Sequence, residues 1–168
     1  MKTDEIKQMF KYTNRLIYIL MILVFINIII TINNKPTKDI KNDYDTSSFT
    51  NIKIENIEEY VSDEEYKLVM IGQPSCEYSI KMLPIVKKVQ EEYNIDILYV
   101  DHRTINEKNS ESLLKYDDET SFISKYINTT PFIIIFKENK MLDTWVGYND
   151  YSTFIKFLEE LNIEKKEN

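Results

Sequence analysis

The chain reads as an α/β fold, a mixed β-sheet with helices on both faces, and three features of its hydrophobic pattern predict this. Short runs apolar on both faces, Lys67–Gly72, Ile95–Asp101 and Phe132–Phe136, suit strands inside a sheet. Segments with apolar residues at helical spacing separate these runs. Glu138 and Asn139 then join the last two strands by a turn short enough only for an antiparallel hairpin. The order is βαβαβαββα, so parallel crossovers precede one hairpin.

The chain begins with a different kind of segment. Leu16–Ile32 is a 17-residue run without charge, broken only by Tyr18, Asn27 and Thr31. As a helix it would be about 26 Å long, near the lower limit for a bilayer core. It is apolar on nearly every side, which argues against a core helix buried on one face. A cleaved signal peptide is the rival reading, but the run is long for one and no small-residue cleavage site follows it. We therefore expect residues 1–15 to be a cytoplasmic tail, 16–32 a transmembrane signal anchor, and 33–48 a polar tether. Four Lys/Arg precede the span and Lys35, Lys38 and Lys41 follow it, a slight bias that places the domain outside the cytoplasm.

The folded domain is expected over residues 49–163, with 164–168 a polar tail. Thr50–Glu55 alternates, with Ile52 and Ile54 on one face, and reads as a short strand; Ile57–Ser62 reads as one or two helical turns. After the strand Lys67–Gly72, the stripe Ile80, Leu83, Ile85, Val86, Val89 and Tyr93 predicts a helix from Cys76 to about Asn94, kinked by Pro84. His102–Asn109 reads as polar loop, with His102 solvated, and Ser110–Tyr126 as helix in one or two pieces broken near Asp117 and Asp118. The strand Lys140–Val146 completes the hairpin, and Asp150 caps a last helix carrying Tyr151, Phe154, Ile155, Leu158 and Leu161 on one face.

Composition narrows the function. The net charge of −7 comprises +2 before residue 16 and −9 after residue 32, and an acidic domain without a basic stripe argues against nucleic acid as a partner. Asp117, Asp118 and Glu119 lack the remainder of a calcium loop and read as solvated charges at a helix start. The single cysteine excludes an internal disulfide and a cysteine zinc cluster, so any disulfide is to another molecule. No residue pattern calls for a cofactor.

That cysteine, Cys76, stands where a strand, the loop Gln73–Ser75 and a helix meet. At a helix start the unpaired N–H groups and the positive end of the dipole favour thiolate over thiol. Ser79 stands three residues on, the spacing of a C-x-x-C redox motif with the second sulfur replaced by a hydroxyl. A Ser79 bond would lower the thiol's pKa and the adjacent Glu77 would raise it, so sequence leaves the net sign open.

The element order, Cys76 at its helix start and a proline just before the fourth strand resemble the thioredoxin fold, over roughly Phe49–Ile163. Cys76 matches the family's attacking cysteine, Lys81 and Met82 a pair many members carry, and Pro84 the helix-kinking proline. Thr130-Pro131 matches the cis-proline loop, and Gly147 the glycine after the last strand. The anchor and the GQPSCEYS loop look similar to bacteriocin transport accessory proteins of Gram-positive bacteria. The departures are Ser79 for the resolving cysteine, Gly72 and Ser75 for aromatics, and Met70 for a buried Asp.

The resemblance implies a membrane-tethered protein in which Cys76, with Ser79 beside it, exchanges with disulfides of secreted peptides or proteins. An external thiol would resolve each mixed disulfide. Thr130 and Pro131 would pair with an extended substrate by strand addition. Trp145 and Tyr148 flank Gly147, with core packing favoured for Trp145. The alternative is a non-catalytic accessory protein that holds an extended secreted peptide along the same edge.

Overall fold

The computed structural model describes the backbone of residues 3–33 and 44–167, and side chains for 11–27 and 44–167. The chain divides into two units, Met1–Lys38 and Asp39–Asn168. The first contains helix α1, Thr3–Asn33. Its large apolar side chains from Leu16 to Ile26 are between 46% and 67% exposed, so no face of this stretch is turned into a core. Among the described residues no helix is long and apolar enough to cross a membrane. The described side chains of α1 take in only part of the 16–32 run. The rest of that run and the tether up to residue 43 lie outside them.

The second unit is built on a five-stranded sheet in the order β1-β3-β2-β4-β5. The strands are β1 (Thr50–Asn51), β2 (Lys67–Gly72), β3 (Asp96–Asp101), β4 (Phe132–Lys137) and β5 (Lys140–Val146). β1, β3 and β2 run parallel, whereas β4 pairs antiparallel with both β2 and β5. β2 lies between β3 and β4 and is buried at all six positions, which is why its residues are apolar on both faces. At the hairpin, Glu138 and Asn139 take φ of 52° and 59°, the left-handed conformation whose twist matches the paired strands. Their N–H groups donate to the carbonyls of Asp63 and Val61, tying the turn to the loop before β2 and to the end of the helix that precedes it.

Helices cover both faces. On one, α3 (Glu77–Glu92) and α6 (Tyr151–Glu160) enclose Leu68, Met70, Ile97, Ile133 and Ile135. On the other, α2 (Ile57–Val61), α4 (Glu107–Leu114) and α5 (Phe122–Tyr126) enclose Val69, Ile71, Val100, Ile134 and Phe136. Alternate residues of β2, β3 and β4 feed alternate cores, as period-2 geometry requires. Asp150 caps α6 by accepting from the Thr153 N–H at 3.0 Å. α3 runs through Pro84, which lies on its exposed side.

Four expectations need correction. The strand expected over Thr50–Glu55 is two residues long. The Ile52 N–H bonds to the Tyr99 carbonyl, and a 3-10 turn, Ile54–Asn56, then delivers Ile54 to the core, so burial at alternate positions did not require a strand. The loop expected over His102–Asn109 contains a 3-10 turn, His102–Thr104, and the first residues of α4. There Asn106 accepts from the N–H groups of Lys108 and Asn109, and the Asn109 side chain accepts from the Asn106 N–H, a capping box built without Glu or Gln. Asp117 is not simply solvated. Its carboxylate accepts from the N–H groups of Ile123 and Ser124 and starts α5.

The fourth concerns both ends of the domain. Packing begins at Tyr44, inside the stretch read as tether, with Asp45 paired to Lys87 and the Ser48 carbonyl accepting from Gln90. In the tail, the Glu164 carbonyl accepts from the Asn94 N–H and the Lys166 N–H donates to the Glu92 carbonyl, closing the chain against the end of α3.

Candidate functional site

The site forms where β2 ends. The Cys76 N–H donates back to the Gln73 carbonyl at 3.1 Å, turning the chain through Pro74 and Ser75 into α3. Cys76 is the residue immediately before that helix, extended at φ −94° and ψ 115°, and its carbonyl accepts the first helical bond from the Ile80 N–H. Its half-buried sulfur therefore sits at the positive end of a 16-residue helix.

Across from it, the loop between α5 and β4 carries a cis peptide between Thr130 and Pro131. The Pro131 carbonyl accepts from the Gly147 N–H at 2.8 Å, where Gly147 holds φ at 82°, a conformation favoured for glycine. This joins the loop to the end of β5. It places the Thr130 carbonyl 3.1 Å from Cys76 Sγ, as acceptor from the thiol. Among the described residues nothing accepts from the Thr130 N–H. Thus Cys76, Ser79, Thr130 and Pro131, 55 residues apart at the extremes, share one site.

Burial pushes the Cys76 thiol up. The Thr130 side chain, the N–H and hydroxyl of Ser79 and the Tyr78 N–H oppose it, and together they hold the thiol below its ordinary value. The Thr130 carbonyl, as acceptor, favours the protonated form, so this contact belongs to the resting thiol rather than the thiolate. Glu77 does not act as its place in the sequence suggests. Its carboxylate is held by Lys81 Nζ at 2.6 Å, so its repulsion of a thiolate is compensated within one helical turn.

Beneath the sulfur the site is closed. Ser79 is fully buried and its Oγ accepts from the Gln73 N–H at 3.4 Å. Met70 is also fully buried, so an uncharged thioether stands in the place of the proton-relaying acid that the resemblance implies. The Tyr99 hydroxyl donates to the Gly72 carbonyl at 2.9 Å, and the Tyr44 ring meets Tyr99 edge-on at 5.9 Å. Tyr44 is the site residue that sequence reasoning missed. The available signal was an aromatic residue close to Phe49 in an otherwise polar stretch, together with a glycine at 72 where an aromatic was expected.

Outside this cluster, Trp145 packs against Phe154 and Phe157, with centroids at 5.7 and 5.1 Å, and belongs to the core rather than to a groove. Tyr148 and Tyr78 are exposed. His102 is half-buried with Nε2 shielded from solvent, not a solvated loop residue, and lies at the start of its 3-10 turn. Among the described residues no group of three His, Cys, Asp or Glu side chains is placed to hold a metal ion.

Residues 30–148 match a family described as TraF, F plasmid transfer operon protein. Among solved structures, one titled as the crystal structure of a designed protein is similar with a TM-score of 0.51 and 19% identity, covering 68% of this chain and 97% of its own. A thioredoxin from Plasmodium falciparum aligns with a TM-score of 0.49 and 15% identity, covering 66% and 97%. No curated protein matches the chain.

Proposed function

Because the chain belongs to the family described as TraF, F plasmid transfer operon protein, and its C-terminal unit is thioredoxin-like, we propose that Cys76 performs thiol–disulfide exchange on secreted peptides or proteins. The observation that carries this is the sulfur at the start of α3, lowered in pKa and 3.1 Å from a carbonyl of the cis-proline loop. In the first step the Cys76 thiolate attacks a substrate disulfide. An Sγ–S bond forms, the substrate S–S bond breaks, and the other substrate sulfur leaves as a thiolate that takes a proton from water. An external thiolate then attacks the substrate sulfur of the mixed disulfide and releases the Cys76 thiolate. The Thr130 N–H, unpartnered among the described residues, is available to pair with the backbone of an extended substrate.

We further propose that residues 16–32 anchor the domain outside the cytoplasm. The apolar side chains of α1 from Leu16 to Ile26 are exposed, and lipid would cover them. Bacteriocin peptides are one class of substrate consistent with this placement. A membrane-impermeant maleimide applied to intact cells is expected to label Cys76; protection of Cys76 that is lost on lysis would overturn the orientation.

The accessory reading is favoured by one observation. Met70 and Ser79 are both fully buried where dithiol members hold an acid and a second thiol, so peptide binding could persist without exchange. Incubation with a peptide disulfide at neutral pH separates the readings. A mixed disulfide on the wild-type chain, released by glutathione and absent in Cys76→Ser, supports exchange. Peptide binding with no adduct, equal in Cys76→Ser, would leave only the holding role.

A further inference from the structure

Gly72 is not a glycine for the sake of its backbone, because it lies within β2 and, unlike Gly147, has no positive φ. Its reason is a close approach. A Cβ there would lie 2.4 Å from Tyr44 Oη, 3.3 Å from Met70 Cε and 3.4 Å from Ser79 Oγ. Tyr44, from the segment that enters the domain, occupies the space that a side chain at 72 would fill, and its hydroxyl ends beside Ser79.

The hydroxyl is buried and has no partner of good geometry among the described residues. The hydroxyls around it are those of Ser79 and Tyr99; Tyr99 donates its own hydrogen to the Gly72 carbonyl, which leaves its oxygen as a second acceptor open to Tyr44. Burial, followed by Tyr99 and Asp101, keeps the Tyr44 phenol protonated far above the ordinary range, against a smaller opposing effect of Ser79, so the buried hydroxyl retains a hydrogen that needs an acceptor. Ser79 Oγ accepts one long bond, from the Gln73 N–H, and keeps a lone pair.

We propose that Tyr44 is a positioning residue for the redox thiol: its hydroxyl, admitted by Gly72, donates to Ser79 Oγ and leaves the Ser79 hydrogen directed at Cys76 Sγ. With donors from Gln73 and Tyr44 facing its lone pairs, the Ser79 hydroxyl has one direction left for its own hydrogen, and the thiolate gains that bond. Three carboxylates around the site are paired. Asp101 binds Arg103, Glu77 binds Lys81, and Asp45 binds Lys87. The inference rests on Cys76 being a working thiol.

The test uses the full chain in detergent, where the single cysteine lets alkylation rate against pH report Cys76 alone. Fluorescence of Trp145, the only tryptophan, reports folding of each variant. Tyr44→Phe keeps the ring and removes the donor. It is expected to move the alkylation curve to higher pH and slow the reaction at pH 7 by up to about twofold, less than loss of the Ser79 hydroxyl itself. Gly72→Ala should do the same by expelling the hydroxyl, yet add little in the Tyr44→Phe background, where the ring ends one C–O bond further back. A merely structural Tyr44 would shift the unfolding midpoint and leave the alkylation curve in place. An unmoved curve in folded Tyr44→Phe, with the wild type below free cysteine, would overturn this inference alone. A wild-type curve at the free-cysteine value would overturn it together with the exchange reading.

Discussion

Replacing Ser79 by alanine tests how the site makes its thiolate. Ser79 is fully buried, so the change removes one hydroxyl while leaving the Ser79 and Tyr78 N–H groups and the helix end in place. A hydrogen bond to a charged group contributes about 1.5–3 kcal/mol where water cannot substitute. Cys76 is only half-buried, and screening reduces this to about 1 kcal/mol. The lost donor favoured the thiolate, so the thiol's midpoint must rise. With 1.36 kcal/mol per tenfold, the thiolate fraction below the midpoint falls about fivefold. A more basic thiolate is also the better nucleophile, with a Brønsted slope of about 0.4–0.5, which returns about twofold. Exchange with a small symmetric disulfide, followed against pH in the full chain, should therefore be about two- to threefold slower at neutral pH and about twofold faster on the alkaline plateau. The wild-type and variant curves should cross. Superimposable curves, or a parallel loss at every pH, would refute the role of the Ser79 hydroxyl in stabilising the thiolate.

Three further outcomes follow from other parts of the structure. Glu77→Gln should leave the Cys76 midpoint nearly unmoved because Lys81 already compensates that carboxylate; a clear fall would show the pair to be ineffective. Phe154→Ala removes a fully buried ring stacked among Trp145 and Phe157, and denaturant unfolding should show a loss of about 3–5 kcal/mol; a loss under about 1 would mean that this core collapses to fill the gap. Asp150 is held at about 2, first by the Ser152 hydroxyl and then by the N–H and hydroxyl of Thr153. A depressed folded value stabilises fully above the ordinary value near 3.8 and is lost as pH falls through about 2. Asp150→Asn keeps a capping oxygen but should flatten the acid limb of the stability curve, and an unchanged slope between pH ~4 and ~2 would contradict that.

Much of the fold was legible because its signals are local. β2, β3 and β4 are apolar on both faces only because each is paired on two sides and covered above and below, and that requirement is written into consecutive residues. α3 and α6 announce themselves by their stripes, and the hairpin by the length of its turn. The misreadings share a cause as well. Ile52 and Ile54 fit a strand by alternation, but two buried residues do not distinguish a strand from a turn that enters the core. Asn106 and Asn109 cap α4 with an amide pair that composition alone classes as loop.

The candidate site divides in the same way. Sequence by itself determined that the chain has one thiol, that it opens a helix after an interior strand, that no second sulfur can resolve it, and that Thr130-Pro131 precedes the fourth strand. Those are statements about identity and order along the chain, and local helix and strand physics is enough to interpret them. Only the tertiary structure decided that the Thr130 carbonyl meets Cys76 Sγ and that Tyr44 fills the space left by Gly72 above a buried Ser79. Each depends on distances between side chains set by how the sheet, α3 and the entering segment pack, and for Tyr44 and Gly72 the partners lie too far apart along the chain for any periodicity to link them.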